Sequence, residues 1–192
     1  MVSVEEFVTW LGDTAWSVAL HESLYMYPII ESIHVIAITL FVGTIAMVDL
    51  RLLGLSFRDV PVSTMTSRVL PWTVAGFVVM IVTGLLLFYA IPVRTFHSVW
   101  FRTKMIFLLV AFINIWFFHR YVRRDQPKWD TRAVPSLGSR ISAVVSLTVW
   151  LMVIVMGRFI AYNWFDCDRP QTHFVAWYAG CPAPIYADEI IR

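Results

Sequence analysis

Four apolar runs, at about residues 28–49, 72–91, 99–118 and 141–162, each reach the length needed to cross a bilayer. A helix needs roughly 20 residues to span about 30 Å of hydrocarbon. In lipid every backbone N–H and C=O must find its partner within the protein, so an isolated run of this length is read as a transmembrane helix. Composition agrees. Of 192 residues 59% are hydrophobic and only 15% charged, too apolar a balance for a water-soluble domain of this size. The expectation is an all-α integral membrane protein, a four-helix bundle forming a single domain over residues 1–192 with the lipid bilayer as its first partner. A net charge of +2 with no basic stripe gives no footprint for nucleic acid.

Orientation follows from the distribution of Lys and Arg. The connection after the first run carries Arg51, Arg58 and Arg68, and that after the third carries Arg120, Arg123, Arg124, Lys128, Arg132 and Arg140, nine of the fifteen in the chain. The opposite side holds Arg94, Arg102, Lys104, Arg169 and Arg192, together with most of the acids. The positive-inside rule then places both termini on the outer side of a bacterial inner membrane, with inner loops at about 50–71 and 119–140. Arg158 belongs to neither side.

The segment before the first run, 1–27, lacks the basic start and cleavage site of a signal peptide. Ser3 and Glu6 have capping-box spacing, and Phe7, Val8, Trp10 and Leu11 give the following turns an apolar side. Gly12-Asp13 marks a break. With Trp16, Tyr25 and Tyr27 suited to headgroup level, this segment reads as an interfacial amphipathic helix on the outer face or as a cap over the bundle. At the other terminus, 163–192 contains Pro170, Gly180, Pro182 and Pro184 and reads as a loop-rich outer tail rather than a helix. The two cysteines of the chain, Cys167 and Cys181, both fall in it, and an even pair in an exported segment is expected to form a disulfide.

The candidate functional residues are ionisable groups inside the apolar runs, which are costly at membrane depth unless paired or put to use. Glu31 and His34 lie early in the first run, three apart and thus on one helix face, and Arg158 lies late in the fourth. Antiparallel topology brings all three to one outer layer, with Tyr89, Tyr162, His97 and, at the surface, His21. A packing network that fixes the bundle is the competing explanation for the same three residues. An inner layer contains Asp49, Arg51, Arg68, Asn114 and His119. Of these, Asp49 with Arg51 and His119 with Arg120 read as solvated or lipid-facing anchors where helices leave the membrane, and Asn114 as an interhelical hydrogen-bond residue.

A haem b requires one or two neutral imidazoles, an aromatic slot between helices and a cation for its propionates at the membrane edge. His34 is the prime candidate ligand, His97 or else His21 the second, Arg158 the propionate partner, and Glu31 the group that orients the ligand or pairs with Arg158. A two-haem arrangement would use four histidines on paired helices, and the inner layer offers His119 alone.

The stretch HVIAITLFVGTIAMVDLRLLG at 34–54, with Thr83-Gly84, Asn114 before Phe118-His119, and Gly157-Arg158, resembles a pattern of uncharacterised bacterial four-helix membrane proteins similar to copper-resistance-D-like and cytochrome-b561-like proteins. The resemblance covers about 20–163 and leaves out the tail. It implies copper passage in the first case and haem-mediated electron transfer in the second, and it carries over by position to His34 and, more weakly, His119.

Three functions stay open: a haem b-binding electron-transfer protein or redox subunit, with quinone or a larger membrane complex as partner; a non-catalytic accessory or assembly subunit; and a copper or small-solute permease. For the last, Met26, Met80 and Met105 are candidate soft ligands without a ladder spacing. No G-x-S-x-G, H-E-x-x-H or Walker-type loop is present, so no hydrolytic reaction is indicated.

Overall fold

A computed structural model describes residues 3–162, 167–181 and 186. Two short helices, α1 (Val4–Gly12) and α2 (Ala15–Glu22), precede the first long helix α3 (Met26–Leu53). Then follow α4 (Val62–Ala90), the one-turn α5 (Pro92–Phe96), α6 (Val99–Phe117), α7 (Gln126–Trp129), α8 (Leu137–Tyr162) and α9 (His173–Ala179). Four of these helices, α3, α4, α8 and α6 with its extension to Tyr121, are long and apolar enough to cross a membrane. The four-helix membrane bundle expected from the run lengths is therefore the fold. Leu85, Phe112 and Trp72 are exposed on its flanks, where lipid replaces water as the solvent.

The spans pack in the order α4, α3, α8, α6. Between α3 and α4 the approach is close because Gly76 has no side chain: a Cβ there would lie 3.0 Å from the backbone nitrogen of Phe41. Ala37, Phe41, Met80, Ala111, Val149, Trp150 and Val153 form the core, with Phe41 edge-on to Trp150 at 4.9 Å between centroids. Trp100 stacks on Phe159 at 4.6 Å to join α6 to α8. The outer pair, α4 and α6, meet through Phe88 and Phe101 at the end nearest the termini. Toward the opposite end, the loop end, a cavity separates them.

Several boundaries differ from the sequence reading. The second span begins at Val62 rather than 72, so Arg68 lies on a helix and Pro71 inside it. Proline is tolerated in membrane helices because neighbouring groups satisfy the freed carbonyl. The segment at 119–140 is not simply a loop: α6 runs on through a π-helical turn, Phe118–Val122, and a 3-10 turn, Arg123–Asp125, into α7.

The tail also contains a helix, α9, where a loop was expected. Thr172 caps its N-terminus by accepting from the Val175 N–H, Gly180 ends it in the left-handed conformation, and Pro170, Pro182 and Pro184 all fall outside its seven residues. Ala176 and Ala179 are its buried contacts. Cys167 and Cys181 form the expected disulfide, with Cα atoms 5.4 Å apart. Asp166, Asp188, Glu189 and Arg192, counted toward the orientation, lie outside the described residues.

At the amino terminus the capping box is formed reciprocally: Glu6 N–H donates to Ser3 Oγ at 3.1 Å and Ser3 N–H to Glu6 Oε2 at 2.8 Å. Gly12 ends α1 as its spacing suggested. The α2 helix is pinned to the end of α4 by Ser17 Oγ, which donates to the Tyr89 carbonyl at 2.7 Å, and by a Thr14–Tyr89 hydroxyl pair at 2.7 Å. Trp10 and Trp16 stay exposed, as an interfacial position requires.

Candidate functional site

The polar residues of the bundle do gather in two layers, but the membership differs from that read in the sequence. At the terminal end, His34 on α3 is half-buried and its Nδ1 lies 2.9 Å from Thr83 Oγ1 on α4. The Thr83 hydroxyl gives its one proton to the Val79 carbonyl at 2.7 Å, so its oxygen accepts from His34 Nδ1–H. In the neutral imidazole this places the lone pair on Nε2. Gly84 makes room for the ring, since a Cβ there would lie 3.2 Å from His34 Cε1.

The basic residue that accompanies His34 is Lys104. On α6, six residues past Ser98, it is close enough for its charge to act on the imidazole, and its Nζ lies 3.5 Å from where a Cβ on Gly157 of α8 would sit. Residues from all four spans, His34, Thr83, Lys104 and Gly157, thus meet at one level. Sequence reading had assigned Lys104 to the outer side as a topology charge. Its place five residues inside the third span was the available signal, the same one that singled out Arg158.

Arg158 is exposed. Its Nη2 donates to the Tyr162 hydroxyl at 3.1 Å and its guanidinium lies 5.1 Å from the centre of that ring, so its partner is one turn further along its own helix. Glu31 is partly buried and near Tyr27, on which Arg94 also acts. His97, at the end of α5, points Nδ1 at the Ala179 carbonyl at 3.3 Å. Arg102 works beside it, donating to the carbonyls of Phe96 at 3.2 Å and Tyr178 at 2.9 Å. His97 therefore helps hold α9 down over the bundle. His21 lies edge-on to Tyr27 with centroids 6.4 Å apart.

The loop end corrects a second expectation. Asp49 and Arg51 are neither solvated nor lipid-facing anchors: Asp49 is 6% exposed and Arg51 0%. Arg51 reaches backward into the loops, where Nε donates to the Val60 carbonyl at 2.6 Å and Nη2 to that of Arg132 at 3.0 Å. Burial is possible because a guanidinium can spread several hydrogen bonds over loop carbonyls that have no helical partner. Asp130 completes the latch by accepting from Ser63 N–H at 2.7 Å and Ser63 Oγ at 2.6 Å. Asn114 makes the interhelical bonds expected of it, donating to the Ser142 carbonyl and accepting from its hydroxyl, both at 3.0 Å. His119 is exposed, with Nδ1 3.3 Å from Arg123 Nη1.

Above this latch, between α4 and α6 with α3 and α8 behind, lies a cavity of about 820 Å³. Among the described residues no three His, Cys, Asp or Glu side chains converge as a metal site would need. The chain matches, over residues 7–163, a family of unknown function, DUF6644, and belongs to it. No curated protein and no solved structure matches the chain. The likeness to copper-resistance-D-like and cytochrome-b561-like proteins rests on the quoted residues alone.

Proposed function

We propose that this member of the DUF6644 family is a haem b-binding electron-transfer protein or redox subunit of a bacterial inner membrane, with the haem held at the terminal end of the bundle. The observation that carries the reading is the contact of His34 with Thr83, whose oxygen accepts from Nδ1–H and so directs the lone pair that a haem iron requires to Nε2. A ligating histidine is normally oriented through its other nitrogen in this way. Lys104 adds to the support, because it has no hydrogen bond or ion pair among the described residues, and an unpaired cation at membrane depth is suited to an anionic group such as a propionate. Lys104 thereby takes the role first assigned to Arg158, which Tyr162 already engages.

A bound haem would supply reversible one-electron chemistry. The chain's own contribution is to hold the His34 tautomer through Thr83, to offer the Lys104 charge, and to cover the terminal end with α1, α2, α5 and α9. His97 is retained as the second ligand candidate, since its Nδ1–H directed at Ala179 O again leaves Nε2 available. The outward orientation of both termini is part of the proposal and is supported by the disulfide, which suits an oxidising compartment, and by the Lys/Arg bias.

The test is the absorption spectrum of detergent-purified protein produced with ample haem supply. A reducible Soret and α-band pair is expected, abolished by His34→Ala, shifted by Thr83→Val and spared by His119→Ala. Absence of stoichiometric haem would reject the redox reading and leave the accessory-subunit reading in its place, with His34 and Thr83 as a packing contact between α3 and α4.

A further inference from the structure

The cavity at the loop end plays no part in the haem reading, and its walls are chemically uneven. Its depth is apolar and aromatic, with Phe41 and Trp150 in their edge-on contact at the back. Most polar groups on the walls are already satisfied by one another. Thr73 Oγ1 donates to Thr44 Oγ1 at 2.8 Å, Thr44 donates to backbone carbonyls, and Asn114 is paired with Ser142. Asp130, nearer the rim, accepts from Ser63.

Asp49 is the exception. It lines the cavity, is more than nine-tenths buried, and its Oδ2 has no hydrogen-bond partner, while Ser146 lies beside the carboxylate. A buried carboxylate oxygen without a donor is a group that a ligand would complete. The exposed guanidinium groups of Arg123 and Arg124 also line the cavity beside His119 and outnumber the Asp130 carboxylate near the rim, which makes that side electropositive. A cationic ligand would be repelled there, and an anionic head could not be brought against Asp49. What remains is a neutral donor at the deep end, in practice a hydroxyl. The aromatic back wall favours a ring beside that hydroxyl, and the gap between α4 and α6 gives an apolar molecule a way in from the lipid.

We propose that this cavity binds a membrane-soluble phenolic amphiphile, of the phenol or quinol class, whose hydroxyl donates to Asp49 Oδ2 while its ring lies against Phe41 and Trp150. The volume is within the range of about 300–1,000 Å³ usual for small-molecule sites. The site is separate from His34, so either proposal can fail without the other.

The experiment compares two probes on the wild-type protein in phosphatidylcholine nanodiscs: 4-decylphenol, and its methyl ether, which has the same body without the donor. The phenol is expected to raise the thermal unfolding temperature saturably, with an apparent affinity about tenfold above that of the ether, the size of one hydrogen bond. Asp49→Leu should bring the phenol down to the level of the ether, and decyltrimethylammonium should give no saturable shift. Equal effects of phenol and ether on the wild type would overturn the proposal, as would a folded Asp49→Leu protein that keeps wild-type affinity for the phenol. The probe comparison needs no variant, so it decides the matter even if Asp49→Leu does not fold. A His34→Ala protein should bind the phenol unchanged.

Discussion

At the loop end, one buried side chain, with Asp130 completing its latch, holds the connections together, whereas at the terminal end four short helices and a disulfide do so. Arg51 gathers the carbonyls of Val60 and Arg132 under the bundle and leaves a cavity above them. The terminal end is instead covered piecewise: α2 is pinned to Tyr89, α1 packs on α5, and α9 is held by His97 and Arg102. The first device is concentrated and the second distributed. The consequences for mutation differ accordingly, because a concentrated latch fails all at once while a distributed cover loses one clamp at a time.

The largest expected effect is therefore at Arg51. Arg51→Met removes the donors to the Val60 and Arg132 carbonyls and should cost about 3 kcal/mol or more. Arg51→Lys should recover only part, since an ammonium cannot reproduce the guanidinium fork. Arg158→Ala is the paired control: exposed and held only by Tyr162, it should change stability by less than about 0.5 kcal/mol. Unfolding in mixed micelles would check both, and comparable losses for Arg51 and Arg158 would erase the contrast.

Next comes the disulfide. Joining residues 14 apart, it should contribute about 3 kcal/mol in the chain-entropy account, though to the tail rather than to the spans. Paired Cys167→Ser and Cys181→Ser substitution should raise amide exchange in α9 and leave exchange in α3 and α8 as it was. If the spans loosen as well, the cover at the terminal end is more concentrated than its contacts suggest.

What the sequence made legible was whatever depends on local pattern. Run length located the spans, Ser3 with Glu6 announced the capping box, and two cysteines in one segment announced their bond. Arg51 was misread because its partners at Val60 and Arg132 are supplied by two loops that only the folded bundle brings together. Lys104 was misplaced for a related reason: a charge near a helix end is assigned to the loop unless its neighbours on other helices are known. His34 was found, yet its partner Thr83 is an ordinary threonine until α3 and α4 are packed. The cavity has no sequence signature, since it follows from how α4 and α6 diverge.

The glycines test the packing on which both ends depend. Gly76→Ala would set a Cβ 3.0 Å from the Phe41 backbone nitrogen, and backbone cannot step aside, so about 1–3 kcal/mol of overpacking is expected. Gly84→Ala meets the His34 ring at 3.2 Å, and a few tenths of an ångström of ring movement relieve it. Its cost in stability should be smaller, and its effect should be seen at the imidazole, as a change in the haem spectrum if His34 is the ligand. Gly43→Ala meets nothing within 4 Å and should be neutral or slightly stabilising.

A smaller loss than those at Arg51, the disulfide and Gly76 is expected at the first turn of the chain. Ser3→Ala removes the oxygen that accepts from the Glu6 N–H and should cost about 1 kcal/mol, felt only within α1 because that helix touches the bundle through α5, α2 and the end of α4. Fraying of Val4–Gly12 would show as faster amide exchange there, with α2 unchanged because Ser17 still binds the Tyr89 carbonyl. If α2 and α9 loosen together with α1, the short helices form one cooperative lid. The difference between the two ends then becomes one of how many residues carry the closure, and no longer of whether it is shared.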